Sequence, residues 1–295
     1  MIVRRHNRVV VQGMTGRQGR FWTERMIDCG TNVVAGVSPG KGGQEACGRP
    51  VYDSAADAQS AVGFDTSVLF VPPAGAKAAS LDAIAAGVRL LVMLTEHVPV
   101  QDVMEIMAAA KAAGARVVGP NTAGLVTPGE GFVGIMPGFN DNIFRPGDIG
   151  VVSRSGSLGT LISLNLVAAG HGQSAFIGIG GDPIIGTSFA DALTAFEADP
   201  GTRAVIMVGE IGGALEEAAA EVAAGMQKPV LAFLAGRSAP AGKRMGHAGA
   251  IVAGNAGSYD GKRQALEAAG VSVLDLPSDV GPVLQARLDD LPSGD

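Results

Sequence analysis

A glycine-rich turn near the amino terminus has the residue types of an anion-binding loop. The apolar run Val9–Val11 leads into the sequence GMTGRQG at residues 13–19, which opens a predicted helix. Backbone N–H groups at the start of a helix can bind a phosphate when glycines keep side chains out of the way. The spacing is GxxGxxG rather than GxGxxG, so a tight turn without a ligand is the alternative interpretation.

The residue type after the second predicted strand distinguishes between nucleotide ligands. Enzymes that bind NAD usually place an acidic residue there, about twenty residues beyond the glycines. This chain instead has the sequence SPGKGG at residues 38–43, with Lys41 and no carboxylate. Lys41, with Arg17 as a second cation nearby in the predicted fold, favours a ligand with an additional phosphate, such as NADP or coenzyme A. A lysine in a solvated loop is the alternative.

A second loop of the same type occurs in the carboxyl-terminal half. The sequence VVSRSGSLG at residues 151–159 again reads as strand, polar glycine loop and helix. The amides and hydroxyls of Ser155, Gly156 and Ser157 can bind a second anion at the helix start. Serine N-capping, which needs no ligand, is the alternative. Two loops of this type in two halves of the chain predict a reaction with two substrates.

One histidine and one glutamate have the surroundings of reactive groups. His247 lies in the sequence KRMGHAGA at residues 243–250, where glycines leave the ring accessible and cations attract phosphate. A neutral imidazole is abundant at pH 7 and can act as a nucleophile or base. Glu210 follows a predicted strand, where its carboxylate can hydrogen-bond one imidazole nitrogen and fix which nitrogen attacks. A metal role is disfavoured, because no second His or Cys has ligand spacing near His247.

The elements that position these residues form a doubly wound α/β pattern. Continuous Val/Leu runs predict buried parallel strands, and the alanine-rich segments between them are long enough for helical crossovers. In the first half we predict strands over 8–12, 32–37, 67–71, 90–94 and 117–118, with helices over 74–86 and 101–113. In the second half we predict strands over 149–152, 175–179, 204–208, 230–234 and 271–274, with helices over 158–169, 187–198, 213–224, 259–269 and 278–288. The predicted domains are residues 1–122 and 148–295, joined by a connecting segment over 123–147 that is rich in Pro, Gly, Asn and Thr.

Composition excludes several classes of protein. The chain has 295 residues, of which 47% are hydrophobic and 4% aromatic, and a net charge of −6 at pH 7. Few aromatic residues and a negative charge argue against a nucleic-acid partner. Two cysteines without a CxxC pair fit a reducing compartment, and no export signal or membrane span is predicted, so we expect a cytoplasmic protein.

Four motifs together resemble a known family. They are GKGG at residues 40–43, GGDP at 180–183, GEIGG at 209–213 and GHAGA at 246–250. In this order, over nearly the whole chain, they resemble the alpha subunit of succinyl-CoA synthetase and its relatives, including malate-CoA ligase. The resemblance implies a Rossmann-like CoA-binding domain followed by a flavodoxin-like ligase domain.

The resemblance also implies an activity. The chain would be the alpha subunit of an acid-CoA ligase, paired with an ATP-grasp beta subunit as αβ or α2β2. That partner binds ATP or GTP and magnesium. His247 takes a phosphoryl group from the nucleotide and passes it to a small carboxylic acid, and the coenzyme A thiol attacks the resulting acyl phosphate. Glu210 orients the imidazole, and the loop of Ser155, Gly156 and Ser157 binds the phosphoryl oxygens.

Further site residues follow from the same resemblance, by position. The residues that match the coenzyme A contacts are Thr15, Gly16, Arg17, Gln18, Lys41, Thr95 and Glu96. The substrate position carries Thr160, where succinate-using relatives have a tyrosine, so the acid can differ from succinate in size or substituent. Two alternatives remain from the residues alone. An NADP-dependent oxidoreductase would leave the second half without a function, and a noncatalytic CoA-binding regulatory module would not need His247.

Overall fold

Short, largely buried strands form the centre of each sheet, and helices pack against them. The computed structural model describes residues 1–239 and 257–291. The chain divides into one unit of Met1–Phe139 with Ile184–Thr187, and a second of Asn140–Pro183 with Ser188–Asp295. Both contain a largely parallel sheet flanked by helices, which confirms the predicted α/β class.

The first unit is built around β1, the strand that precedes the first glycine turn. Its elements are β1 Val9–Gln12, α1 Arg17–Asp28, β2 Val33–Val37, β3 Glu45–Ala46, β4 Arg49–Tyr52, α2 Ala55–Ala61, β5 Thr66–Leu69, α3 Pro73–Ala85, β6 Leu90–Met93, α4 Val100–Ala113, β7 Arg116–Val118, β8 Gly124–Thr127 and β9 Gly131–Gly134. The sheet order is β3-β4-β2-β1-β5-β6-β7, and only β3 runs antiparallel to its neighbour. The strand order reverses at β1, and ligands bind at such points in open α/β sheets.

The segment expected to connect the domains contains regular structure. Strands β8 and β9 form an antiparallel hairpin, with Gly124 opposite Gly134. A Cβ at Gly124 would lie 2.1 Å from the carbonyl oxygen of Val133, so the two strands approach more closely than side chains would allow. The hairpin is fixed to the first unit by Thr31, whose hydroxyl donates to the carbonyl oxygen of Phe132 at 2.7 Å. Glycine has a low strand propensity, which is why composition alone indicated a loop here.

The second unit is built around β10, the strand that precedes the second loop. Its elements are β10 Pro146–Ser153, α5 Gly156–Ala168, β11 Gln173–Gly178, α6 Phe189–Ala198, β12 Ala204–Glu210, α7 Leu215–Ala223, β13 Val230–Ala235, α8 Tyr259–Ala268, β14 Ser272–Leu274, a 3₁₀ turn Pro277–Asp279 and α9 Val280–Asp289. Its strands run in the order β14-β13-β12-β10-β11, and all these pairings are parallel. The order reverses at β10, so the loop after β10 and the end of β12 lie at the same edge.

The helices of the second unit are positioned by large buried side chains. Phe196 on α6 is fully buried and lies over Gly150 of β10, where an added Cβ would come within 2.6 Å of the ring. This packing brings α6 against the central strand and fixes the strand that carries the second loop. Among the described residues, no helix combines the length and apolarity that a membrane crossing requires.

Phe196→Ala tests this packing. The substitution removes a fully buried ring, so it should lower the free energy of unfolding by about 3–5 kcal/mol, measured by urea titration. Thr194→Ala on the exposed face of the same helix is the matched control and should change it by about 0.5 kcal/mol or less. Equal effects of the two substitutions would show that the ring does not anchor α6.

Candidate functional site

The first glycine turn is closed by contacts between backbone atoms. Gly13 has φ +78°, and a Cβ there would lie 2.3 Å from the carbonyl oxygen of Phe70. A Cβ at Gly19 would lie 2.2 Å from the carbonyl oxygen of Gly13. The turn therefore requires glycine at both positions, and it brings the first residues of α1 close to the end of β1.

The start of α1 has the properties of an anion site. Gly16 is its N-cap and supplies no side-chain hydrogen bond to the first turn. The first N–H groups of a helix have no partner within the helix, and they carry the positive end of its dipole. Gly16, Arg17 and Gln18 are exposed, so these amides and one guanidinium are accessible from solvent. This arrangement suits a phosphate group.

A cavity of about 580 Å³ opens beside the turn, a volume typical of small-molecule sites. Its lining comes from the turn after β1, the loop after β2, the end of β5 and one face of α3: Gln12, Gly13, Thr15, Gly16, Val37, Ser38, Pro39, Lys41, Phe70, Val71, Pro72, Gly75, Ala78, Ala79 and Asp82. The Thr15 hydroxyl donates to Ser38 Oγ at 3.1 Å and so links two of the lining loops.

Some of the residues predicted to contact coenzyme A line this cavity, and others lie at its edge or outside it. Thr15, Gly16 and Lys41 line it, and Arg17 and Gln18 begin the helix at its edge. Thr95 lies outside the lining, but its hydroxyl donates to the carbonyl oxygen of Val71, a lining residue, at 3.0 Å.

Glu96 is exposed, and its described ion contact is with His97 at 3.8 Å rather than with the cavity. The structure therefore gives Glu96 no place in the lining, although it follows Thr95 directly in the chain.

Sequence reasoning missed the apolar side of this cavity. Gly75, Ala78 and Ala79 form a face of small residues on α3. Their spacing of three and four residues was a usable signal, because it puts them on one side of a helix. Alanine is so frequent in this chain that the face did not stand out.

Two groups elsewhere in the first unit have shifted pKa values. Burial raises the pKa of the Cys47 thiol, and the Glu24 carboxylate raises it further. The thiol is therefore protonated at neutral pH and is a weak nucleophile. Hydrogen bonds to Glu105 and Asp102 raise the pKa of Lys77, so its ammonium remains charged and paired with α4.

The loop after β10 forms an N-cap. Ser155 Oγ accepts from the Leu158 N–H at 3.4 Å, which confirms the capping interpretation. Ser153 Oγ donates to the carbonyl oxygen of Ser155 at 2.6 Å and holds the loop in shape. Gly156 and Ser157 are the first two residues of α5, where N–H groups have no intrahelical acceptor. Anion binding at these amides is compatible with the cap and stays a prediction.

Thr160 lies one turn into α5. Its hydroxyl donates to the carbonyl oxygen of Gly156 at 2.8 Å, so the side chain bonds to its own helix. The side chain is half-buried and close in sequence to the loop. Its role as a substrate contact stays a prediction.

Glu210 is the last residue of β12 and is buried in an ionic environment that sequence reasoning did not anticipate. The Nη2 atom of Arg154, the residue directly before Ser155, lies 3.4 Å from Glu210 Oε1. Arg154 is itself only 4% exposed. The sequence signal for this ion pair was a charged residue at the end of an apolar strand, because a buried charge needs a partner.

His247 lies outside the described residues, but both ends of its segment are defined. Strand β13 pairs with β12 so that Ala235 is opposite Glu210, and the chain continues from there to Ala239. It is described again from Gly257, whose carbonyl oxygen accepts from the Gly212 N–H at 2.8 Å. The described residues Ala235 and Gly257, on either side of this segment in the chain, therefore lie beside Glu210 and Gly212. In the described ranges, no group of His, Cys, Asp and Glu has the arrangement of a metal site.

Comparison with known proteins relates both units to enzymes that use coenzyme A. Residues 4–97 match the CoA binding domain family, and residues 152–272 match the CoA-ligase family. The alpha subunit of the ADP-forming succinate-CoA ligase of Methanothermobacter thermautotrophicus is 50% identical over 281 residues, which are 95% of this chain and 94% of that protein. A subunit of the ADP-forming sulfoacetate-CoA ligase of Bilophila wadsworthia is 44% identical over 290 residues, 98% of this chain and 99% of that protein.

A solved structure shares the fold over nearly the whole chain. ATP citrate lyase from Methanothrix soehngenii, in complex with citrate and coenzyme A, matches with a TM-score of 0.87 at 25% identity. The match covers 98% of this chain and 50% of the lyase chain, so this chain corresponds to about half of that enzyme.

The two domains and their glycine turns define a subunit of an acid-thiol ligase that acts on coenzyme A. The chain belongs to the family of succinate-CoA ligase alpha subunits. The name of these relatives implies a partner subunit. Family membership also gives the second half a function, which the oxidoreductase alternative did not.

Gly19→Ala tests the first turn. The new Cβ would collide with the Gly13 carbonyl and open the turn, so coenzyme A binding should weaken by at least about tenfold, or about 1.4 kcal/mol. Isothermal titration with coenzyme A measures the change. Gly225→Ala is the control, since its Cβ would meet only the Val222 carbonyl oxygen at 3.6 Å. An unchanged dissociation constant in Gly19→Ala would contradict the assignment of this turn.

Proposed function

We propose that this chain is the phosphoryl-carrying subunit of an acid-CoA ligase, with His247 as the carrier. The observation that supports this most directly is the position of the described residues on either side of 240–256. Ala235 is opposite Glu210 in the sheet, and the Gly257 carbonyl oxygen accepts from the Gly212 N–H, at the edge where the loop after β10 also lies. We therefore infer that His247 acts together with the Glu210 carboxylate and the amides at the start of α5.

The proposed chemistry divides an unfavourable condensation into transfers of a phosphoryl group. An imidazole nitrogen of His247 attacks the terminal phosphorus of ATP or GTP, and the nucleoside diphosphate leaves. The carboxylate of the acid then attacks this phosphorus and becomes an acyl phosphate, which restores the imidazole. The coenzyme A thiol, losing its proton, attacks the acyl carbon, and inorganic phosphate leaves. Phosphorylation thus converts a poor leaving group into a good one.

Glu210 and the start of α5 have different roles in the phosphoryl transfers to and from His247. Glu210 accepts a hydrogen bond from one imidazole nitrogen and so exposes the other to phosphorus. The amides of Gly156 and Ser157 bind the oxygens of the phosphoryl group, with Ser155 holding the helix start in place.

The cavity of the first unit suits coenzyme A. Its small-residue face on α3 accepts a flat base, and the start of α1 accepts the diphosphate. Lys41 supplies a cation for the additional phosphate on the ribose.

The acid is a small carboxylate. The relatives named above are ligases for succinate and for sulfoacetate, which are both small acids with a second anionic group. We assign the same class of substrate to this chain, with Thr160 near its site. A small side chain at this position, bonded to its own helix, leaves room that a bulkier residue would fill.

The partner that completes the enzyme is an ATP-grasp beta subunit that binds the nucleotide and magnesium, in an αβ or α2β2 complex. A cytoplasmic location fits the chemistry and the two free thiols, Cys29 and Cys47.

His247→Ala tests the carrier. The complex with the co-expressed beta subunit, incubated with ATP or GTP labelled in the terminal phosphate and magnesium, should acquire an acid-labile label. His247→Ala should abolish it, because no other imidazole lies in this segment. His171→Ala, at a half-buried histidine elsewhere in the second unit, is the control and should retain it. A label that persists in His247→Ala would refute the assignment.

Lys41→Glu separates coenzyme A binding from phosphorylation. Reversing a charge in the cavity lining should raise the KM for coenzyme A about tenfold or more and leave the rate of phosphoenzyme formation unchanged. Lys111→Glu, an equal charge change at an exposed lysine at the end of α4, should alter neither. The role of Lys41 is wrong if the KM for coenzyme A stays at its original value.

A further inference from the structure

Four ionisable side chains are at least nine-tenths buried at the carboxyl edge of the second sheet: Arg154, Glu210, Glu216 and Lys262. Two are formally positive and two negative. Burying a charge has a large energetic cost unless the group is paired and hydrogen-bonded. The proposed chemistry assigns a role only to Glu210. We call the other three, Arg154, Glu216 and Lys262, the ion cluster.

Glu216 is the centre of the ion cluster. Its side chain is fully buried in the first turn of α7. Oε1 accepts from Arg154 Nη1 at 3.3 Å and from the backbone N–H of Glu210 at 3.1 Å. Oε2 accepts from the ammonium of Lys262. One carboxylate therefore joins two cations to the backbone of the proposed orienting residue.

Gly209 leaves space for the Glu216 side chain because it has no Cβ. A Cβ at Gly209 would lie 2.8 Å from both Cγ and Oε1 of Glu216. The carboxylate can lie against the end of β12 only because that residue is glycine.

Arg154 forms an ion pair with the carboxylate of Glu210. Its Nη2 atom lies 3.4 Å from Glu210 Oε1, and its Nη1 atom donates to the carbonyl oxygen of Gly212 at 3.1 Å. Glu210 is thus contacted at its carboxylate by Arg154 and at its backbone by Glu216. Because Arg154 directly precedes Ser155, the same side chain couples Glu210 to the loop at the start of α5.

Lys262 connects the turn after Glu210 to helix α8. Its ammonium donates to the carbonyl oxygen of Gly213 at 3.0 Å and to Glu217 Oε2 at 2.8 Å, in addition to Glu216. Lys262 lies in the first turns of α8, five residues after Gly257, where the chain returns from the segment that contains His247. The ion cluster therefore fixes both Glu210 and one anchor of that segment.

Stability alone does not account for this arrangement. Replacing a buried ion pair by well-packed apolar residues is often neutral or stabilising, because the charges lose their hydration. Apolar side chains in these positions would fill the same space. They would not hold a carboxylate in one orientation, and they would not bind the carbonyl groups of the turn over 212–213.

From these contacts we infer that Arg154, Glu216 and Lys262 are positioning residues, which hold the Glu210 carboxylate and the turn over 212–213 in the geometry needed for phosphoryl transfer at His247. This inference rests on the proposed function. It assigns the three residues an effect on the rate of phosphoryl transfer and none on substrate binding.

Two variants test the ion cluster in the complex with the beta subunit. The double variant Glu216→Leu/Lys262→Met removes one charge of each sign and refills the space. Arg154→Lys keeps the charge and the fold but loses the planar group that contacts Glu210, Glu216 and Gly212 together. Lys228→Met is the control, since this lysine also bonds two carbonyl oxygens but lies before β13, at the opposite edge of the sheet.

Single-turnover phosphorylation with labelled ATP or GTP gives the rate, and steady-state assays give the KM of each substrate. Both variants should form the phosphoenzyme about 10- to 100-fold more slowly than the unmodified complex, with KM values within about twofold, as expected for lost positioning. Lys228→Met should react at the unmodified rate.

The outcomes separate the two claims. An unmodified complex that acquires no label on His247 overturns the proposed function and this inference with it. A labelled unmodified complex, together with variants that react at its rate, overturns this inference alone. Should the double variant fail to fold, Arg154→Lys decides between these outcomes by itself.

Discussion

The Glu216 carboxylate is fully buried, and charged and polar groups at the carboxyl edge of the second sheet stabilise it. Arg154 reaches it from the end of β10, Lys262 from α8, and the Glu210 N–H from β12. Elements far apart in sequence therefore converge on one carboxylate. The end of β10, the end of β12 and helix α8 are thereby linked through one side chain.

In both units, glycine keeps the first amides of a helix accessible. A helix can offer its first amides to a phosphate only where no side chain blocks the approach. In the first unit, Gly13 and Gly19 allow backbone atoms to come within contact distance and turn the chain sharply into α1. In the second unit, Ser155 caps α5 while Gly156 keeps its first position open. We propose that the first helix start binds the phosphates of coenzyme A and the second binds a phosphoryl group.

Much of the fold could be predicted from the sequence, because runs such as Val9–Val11 and Ala204–Val208 have a buried strand as their simplest interpretation. The position of Glu210 followed from the end of its strand. The hairpin over 124–134 did not follow, since its glycines are poor strand formers and owe their conformation to close backbone pairing.

The ion cluster could not be predicted either. Its members are 62 and 46 residues apart along the chain from Glu216, and a charged residue usually indicates an exposed position. For Ser155, the sequence could not distinguish helix capping from anion binding, because both require a serine at the start of the helix.

The measurement that tests the central claim most directly is the ³¹P NMR spectrum of the complex after reaction with ATP or GTP and magnesium and removal of the nucleotide. The account predicts a phosphorus bonded to an imidazole nitrogen. This signal should disappear when the acid and coenzyme A are added, as inorganic phosphate and one equivalent of thioester appear. A phosphoester on Ser155 or Ser157, or a phosphorus signal that survives both substrates, would contradict it.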